Sequence, residues 1–149
     1  MKFVIQRVNH AQVKIDGKTV GSIGKGFLVL IGIGKSDTRE IADKYLKKML
    51  GLRIFEDENG KMNLSIEQIG GQGLSISQFT LYANCKKGRR PSFDQAARPE
   101  IASPLYDAFN DALRQTGLVV KPGIFGAEMK VRLLNDGPVT LILDSNELF

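Results

Sequence analysis

Cysteine and histidine each occur once among the 149 residues, and tryptophan does not occur at all. Cys85 therefore has no partner for an internal disulfide, and no Cys/His set exists for a structural zinc site. A Ser-His-Asp or Cys-His catalytic arrangement would depend on His10, which lies in a strand-like N-terminal segment. We favour a surface or strand-packing role for His10, so an enzyme built on this sequence lacks the usual neutral-pH base.

Long apolar runs are also missing. No segment approaches the ~18 consecutive apolar residues of a membrane span, and the N-terminus alternates like a strand instead of carrying a signal-peptide core. We therefore expect a soluble cytoplasmic protein with no membrane partner. No repeat or linker divides the chain, so residues 1–149 are predicted to form one domain. The excess of 21 Lys and Arg over 16 Asp and Glu, a net charge of +5, favours an acidic partner.

The first half of the chain has clear secondary-structure patterns. Residues 3–15 read as a strand that turns at Asp16-Gly17 into a return strand over residues 19–23. The continuous apolar run 27–31 is typical of a strand buried on both faces. A helix is predicted next, with Asp37 as its cap, Glu40 completing a capping box, and Gly51 as a left-handed stop.

The second half predicts a strand over residues 74–83, an irregular basic segment over 86–99, and a helix over 99–116. Pro104 either begins that helix after Ser103 or kinks it. Two final strands, 128–134 and 139–143, are predicted to be joined by a turn at residues 135–138. Because strands outnumber helices, we expect an α+β fold in which two helices cover a curved mixed sheet.

Gly34-Lys35-Ser36 follows a strand and precedes a helix, where a phosphate-binding loop would lie. The Walker pattern requires a glycine five positions before Gly34, and Val29 occupies that position. We interpret the segment as a plain strand–helix connection.

Four cations within five residues, Lys86, Lys87, Arg89 and Arg90, form a basic loop (residues 86–90). Such a run is either a solvated loop or a patch that contacts nucleic acid phosphates and releases their counterions. The sequence leaves both interpretations open.

Polar residues interrupt the strand predicted over 74–83. Ser77, Gln78 and Thr80 leave neither face of that strand cleanly apolar, so these side chains find partners or line a site. Gly137-Pro138 is the second unusual feature, because the proline removes a backbone donor at the start of a strand. From the sequence alone, a trans peptide bond is the default at this position.

Three segments resemble the D-aminoacyl-tRNA deacylase family. They are residues 77–83 (SQFTLYA), 87–93 (KGRRPSF), and 123–140, which run from GIFGAEM to NDGPVT. The likeness begins at residues 6–8 and continues to the last strand, so it covers nearly the whole chain.

The resemblance implies a homodimer, assembled into a barrel-like structure, that hydrolyses D-amino acids from the 3′ end of tRNA without a cofactor or metal. Ser77, Gln78, Phe79 and Thr80 would form one wall of the pocket. Phe125 and Met129 would lie near the terminal adenosine, and the cations of the basic loop would contact tRNA phosphates.

The resemblance further implies that Gly137-Pro138 is cis and enters the partner subunit's site, braced by Arg7. Its carbonyl oxygens would hold the substrate's α-amino group, and an L side chain would collide with it. Selectivity then comes from exclusion. Glycine escapes that exclusion in part, so glycyl-tRNA mischarged on tRNA-Ala is an expected second substrate.

Two chemical routes are open. Thr80 is the obvious nucleophile by position, yet no His, Lys, Asp or Glu of its motif can activate it. We favour a route in which backbone N–H groups around Phe79 and Thr80 stabilise the oxyanion and the substrate's 2′-hydroxyl positions or activates water.

Two other functions stay open: an RNA-binding module without catalysis, and a deacylase with altered chirality that clears L-alanine.

Overall fold

The computed structural model describes residues 1–149 as a curved six-stranded mixed sheet, a separate two-stranded sheet and three α-helices. The predicted α+β class, with helices covering a curved mixed sheet, is confirmed. The strands are β1 (Lys2–Ile15), β2 (Lys18–Ile23), β3 (Gly26–Gly32), β4 (Phe55–Glu56), β5 (Met62–Leu64), β6 (Gln72–Ser77), β7 (Val119–Pro122) and β8 (Lys130–Asp144). The helices are α1 (Arg39–Leu50), α2 (Pro99–Gln115) and α3 (Ser145–Leu148), and a 3-10 helix spans Phe79–Tyr82.

Strand β1 lies at the centre of the sheet. It pairs antiparallel with β2 and β3 along one edge and with β8 along the other. The predicted turn between β1 and β2 is confirmed, since Asp16 and Gly17 have φ values of 48° and 75° and reverse the chain within two residues.

The sheet has a hydrophobic cluster on each face. Alternate residues of β3 point to opposite faces, as the period of a strand requires. Phe27, Val29 and Ile31 join the larger cluster, which includes buried residues of α1 and α2, and Leu28 joins the smaller one. The prediction of a strand buried on both faces is therefore confirmed.

The predicted ends of α1 were wrong. Thr38 caps the helix, and its hydroxyl accepts a hydrogen bond from the Ile41 N–H. Asp37 is instead buried, where it accepts hydrogen bonds from the Met1 ammonium at 2.5 Å and the Gly34 N–H at 2.6 Å. Gly51 has φ −80° and is not left-handed.

The predicted hairpin in the C-terminal tail was also wrong. Residues 130–144 form the single strand β8, which is antiparallel to β1 throughout. The pairing shifts from Gln6↔Thr140 to Val8↔Asn135, so residues 136–139 have no partner on β1 and form a bulge, here called the Gly-Pro loop. The length of β1 accounts for this, because one strand pairs with both halves of β8.

Two further boundaries differ from expectation. Strand β6 stops at Ser77, and the 3-10 helix takes the place of the rest of the predicted strand. Helix α2 starts at Pro99, so Pro104 lies inside the helix and does not begin it. No helix has both the length and the apolar character required to cross a membrane.

Candidate active site

A cavity of about 580 Å³ lies at the carboxyl ends of β3 and β6. These strands are parallel to each other, and β7 is parallel to β6. The carboxyl ends of parallel strands therefore meet at one edge of the sheet, which is where ligands bind in open sheets with parallel strands. The start of α2 and the segment between β7 and β8 complete the wall.

Most of the cavity's lining is apolar, and four large side chains dominate it: Phe79, Phe93, Phe125 and Met129. Phe79 and Phe93 are in edge-to-face contact, with ring centroids 5.0 Å apart. Phe79 is nevertheless 56% exposed, so its ring is available to a ligand at the mouth. Such a cavity suits a flat aromatic ring whose faces pack on apolar side chains.

The structure brings three of the four predicted wall residues to the cavity. Ser77, Gln78 and Phe79 line it, whereas Thr80 does not. The polar interruption in the predicted strand therefore marks the place where β6 ends and the cavity begins.

Thr80 is exposed, and its hydroxyl accepts a hydrogen bond from the Gln78 Nε2. No ionisable side chain hydrogen-bonds to that hydroxyl. His10 lies on β1, opposite Leu134, and is exposed. The geometry thus provides Thr80 with no base that would make it a strong nucleophile.

Two glycines at the end of β3 determine how closely the 3-10 helix approaches the sheet. A Cβ at Gly32 would lie 3.0 Å from the Leu81 Cβ, and one at Gly34 would lie 2.5 Å from the Tyr82 hydroxyl. The Tyr82 hydroxyl donates to the Asp37 Oδ2 at 3.3 Å. Burial and then the neighbouring Asp37 carboxylate raise the pKa of Tyr82, so its hydroxyl stays protonated and anchors the helix instead of acting as a base.

Phe125 and Met129 also line the cavity, as the adenosine-pocket assignment requires of them. A close approach at Gly123 positions Met129, because a Cβ there would lie 2.5 Å from the Met129 Sδ. The Gly123 N–H donates to the Ser75 carbonyl at 2.8 Å, which ties this segment to β6.

Gly137 and Pro138 do not line the cavity of their own chain. Both are exposed, the peptide bond between them is cis, and Gly137 has φ +114°. The cavity wall and the Gly-Pro loop, which the resemblance assigns to one reaction, are therefore separate surfaces of the chain.

Arg7 is buried beneath the Gly-Pro loop, with 4% of its surface exposed. Its Nε donates to the Asp136 carbonyl at 3.3 Å and lies 3.1 Å from the Asp136 carboxylate, and its Nη1 donates to the Ile54 carbonyl at 2.7 Å. A buried guanidinium needs such partners, so Arg7 and the loop fix each other's position.

Asn135 holds the base of the same loop. Its Nδ2 donates to the Arg7 carbonyl and to the Val139 carbonyl, each at 3.0 Å, and its Oδ1 accepts from the Thr140 hydroxyl at 3.3 Å. One side chain therefore joins β1 to both ends of the bulge.

The basic loop lies outside the cavity. Lys86, Lys87, Arg89 and Arg90 are all exposed, and none forms an ion pair. An antiparallel bridge between Asn84 and Ser92 closes the loop at its base. The cations of the basic loop are therefore available to bind an anion outside the chain.

Sequence reasoning missed three residues at the site: Phe93, Arg98 and Asn135. Phe93 had a signal, because it is an aromatic directly after a stiff Pro-Ser pair. Asn135 was taken for a turn residue, and its role depends on the pairing of β8 with β1. Within the described chain, residues 1–149, no group of three or more His, Cys, Asp or Glu side chains is placed to hold a metal ion.

Comparison with known proteins places the chain in a family of tRNA deacylases. The sequence profile described as D-Tyr-tRNA(Tyr) deacylase matches residues 4–144. Proteins named D-aminoacyl-tRNA deacylase from Geobacter sulfurreducens and Thermosipho africanus are 59% and 54% identical to this chain. These alignments cover 97% and 100% of this chain, and 95% and 100% of the relatives. The chain belongs to the D-Tyr-tRNA(Tyr) deacylase family.

Two solved structures share the fold. The c-Myc DNA unwinding element binding protein is 42% identical, with a TM-score of 0.91 over 97% of this chain and 99% of its own. A probable eukaryotic D-amino acid tRNA deacylase has a TM-score of 0.82 at 20% identity, over 95% of this chain and 97% of its own, and this likeness concerns the fold alone.

Replacing Asn135 with Ala is expected to destabilise the fold by about 1–3 kcal/mol, because it removes the side-chain hydrogen bonds to the Arg7 and Val139 carbonyls. Urea denaturation followed by circular dichroism measures the change. Asn9→Ala is the matched control, since Asn9 is an exposed residue of β1 whose side chain makes no hydrogen bond. Equal stability of the two variants would contradict the structural role of Asn135.

Proposed function

We propose that this protein hydrolyses the ester bond of D-aminoacyl-tRNA and releases the D-amino acid and free tRNA. The observation that carries the proposal is the meeting of two distant segments in one cavity. Ser77, Gln78 and Phe79 reach it from the end of β6 and the start of the 3-10 helix. Phe125 and Met129 reach it from the segment before β8. Membership of the deacylase family supports the same reaction.

The terminal adenosine of the tRNA occupies the apolar part of the cavity in this proposal. Phe125 and Met129 contact the base there, where burial of a flat ring against apolar groups is favourable. The ribose and its ester then lie at the Gln78 and Phe79 end, beside the start of the 3-10 helix.

The chemistry uses backbone donors. No side chain caps the 3-10 helix at Gln78, and the first N–H groups of a helix lack partners within it. Those of Phe79 and Thr80 stabilise the negative charge that develops on the carbonyl oxygen.

Water attacks the ester carbonyl carbon, the bond to the ribose 3′-oxygen breaks, and that oxygen receives a proton. The substrate's 2′-hydroxyl positions or activates the water. An aminoacyl ester needs little further activation, and Thr80 acts by positioning groups.

The chiral gate comes from a second copy of the chain. Gly137 and Pro138 are exposed and lie outside the cavity of their own protomer, so they are available to a partner. In the homodimer, their carbonyl oxygens hold the α-amino group. An L side chain collides with the loop that Arg7 braces, and a D side chain points to solvent. Glycine has no side chain to exclude, so glycyl-tRNA mischarged on tRNA-Ala is a second substrate.

An unprotected sheet edge supports the dimer. Strand β8 pairs only with β1, and it exposes Val131, Leu134 and Ile142. Ile142 is 74% exposed. Long edge strands with exposed apolar residues are usually covered by a partner.

Release of free amino acid from D-tyrosyl-tRNA and L-tyrosyl-tRNA tests the proposed function. We expect turnover of the D form only, and we expect Thr80→Ala to keep most of it, because no base activates the Thr80 hydroxyl. A tRNA ending in 2′-deoxyadenosine, charged at its 3′-hydroxyl, should react much more slowly.

Three outcomes would contradict this account. Inertness toward both tRNAs would favour an RNA-binding module without catalysis. Near-complete loss of turnover in Thr80→Ala, with the variant folded by circular dichroism, would make Thr80 the nucleophile. Loss of L-alanine from tRNA would favour the altered-chirality deacylase instead.

We further propose that the basic loop contacts tRNA phosphates. Changing Lys86, Lys87, Arg89 and Arg90 to Gln should weaken tRNA binding and flatten the slope of log K against log salt by up to about 0.9 per lost duplex contact.

The matched control removes four exposed charges from α1 instead. Arg39, Lys44, Lys47 and Lys48 give the same change in net charge when replaced by Gln. Equal salt slopes for the two quadruple variants would show that the basic loop is only solvated.

A further inference from the structure

Arg98 is the only charged residue that lines the cavity. It stands at the mouth, in the last position before α2, and its side chain is exposed. All other lining residues are apolar or uncharged, so the side chain of Arg98 dominates the local electrostatics.

The guanidinium of Arg98 has no partner within the chain. It makes no hydrogen bond and no ion pair, although Asp94 and Glu100 occur nearby in the sequence and are exposed. Arg7, by contrast, is buried and fully engaged by the chain's own carbonyls and carboxylates. Contacts within the chain therefore give the side chain of Arg7 a structural role, but they give none to the side chain of Arg98.

The backbone on either side of Arg98 is well fixed. The Ala97 N–H donates to the Ile33 carbonyl at 2.9 Å, and the Arg98 carbonyl accepts from Ile101 and Ala102 at 3.0 and 2.9 Å. The side chain thus projects from a fixed backbone at the rim of the apolar cavity, which Phe93 also lines. The fixed backbone keeps the attachment point of the side chain at the cavity, and the unpartnered guanidinium is available to a ligand that enters it.

We infer that Arg98 binds the phosphate on the 5′ side of the terminal nucleotide whose base occupies the cavity. This inference rests on the proposed function. A nucleotide presents one anionic phosphate next to a neutral base and sugar, which matches one cation at the rim of an apolar cavity. Arginine is suited to phosphate, because its planar fork donates two parallel hydrogen bonds. The contact adds affinity for the terminal nucleotide, whereas the basic loop contacts phosphates further from the 3′ end.

Calorimetric binding of adenosine and adenosine 5′-monophosphate tests the assignment without catalysis. The wild type should bind the monophosphate about tenfold more tightly, because only the monophosphate forms the charge-assisted bonds. Arg98→Gln should bring the two affinities close to equality and leave adenosine binding within about twofold of the wild type. Arg98→Lys, which keeps the charge without the fork, should retain an intermediate preference.

Arg114→Gln is the matched control. It removes an arginine from the other end of α2, where Arg114 pairs with Asp111 outside the cavity, and should keep the wild-type preference. With D-tyrosyl-tRNA, Arg98→Gln should raise KM and leave kcat nearly unchanged.

Three results would overturn the inference. The first is an unchanged preference for the monophosphate in Arg98→Gln. The second is an equal loss of affinity for adenosine and its monophosphate in that variant, which would mean that Arg98 stacks on the base. The third is a wild type that binds no nucleotide. Failure of the proposed function is distinguishable from these, because it would abolish ester hydrolysis while the monophosphate preference of the wild type remained.

Discussion

The pairing of β1 along both of its edges is the constraint on which the rest of this structure depends. One edge of β1 pairs with β2 and β3, and the other pairs with β8. Strand β3 in turn pairs with the parallel strand β6, which pairs with β7. Arg7 lies in the middle of β1 and is buried, so its guanidinium requires partners from neighbouring segments. The Gly-Pro loop and Ile54 supply them. The register of one strand thereby fixes the position of the Gly-Pro loop within β8.

The cavity and the Gly-Pro loop follow different physical rules. The cavity lies at the ends of parallel strands and is lined mostly by apolar side chains, with Ser77, Gln78 and Arg98 as its polar members. The loop is a rigid feature of an edge strand, held by Arg7 and Asn135 and presented to solvent. A reaction that needs only orientation, oxyanion donors and a steric gate fits this division. It also fits a chain with one histidine, which lies exposed on β1.

Local patterns predicted the elements whose contacts are close in sequence. The Asp16-Gly17 turn, the buried β3 and the start of α2 at Pro99 agree with expectation. The failures arise where tertiary contacts override local preference. Asp37 resembles a helix cap in sequence but is drawn into a buried ion pair with the Met1 ammonium. Residues 135–138 resemble a turn, yet β1 is long enough to pair on both sides of them.

The residues of the site were predictable to the extent that short motifs carried them. Ser77, Gln78, Phe79, Phe125 and Met129 line one cavity, whereas Thr80 does not, and the roles that the resemblance gives them stay predictions. Arg98 could not be found in this way, because it lies within a segment that already has many cations. Only the fold shows that this arginine, and no lysine or arginine of the basic loop, reaches the rim.

The central claim is that the Gly-Pro loop of one protomer completes the cavity of its partner. Subunit mixing tests it most directly. Ala127→Trp fills the cavity, and Gly137→Val displaces the loop, since a Cβ at Gly137 would lie 2.7 Å from the Arg7 Nη2. Each homodimer should be defective, but the mixed dimer contains one intact cavity facing one intact loop. Refolded in equal amounts, the two variants should regain D-selective hydrolysis at about a quarter of the wild-type rate, as random pairing in a two-fold dimer requires. Activity no greater than the average of the two parent variants would contradict the account.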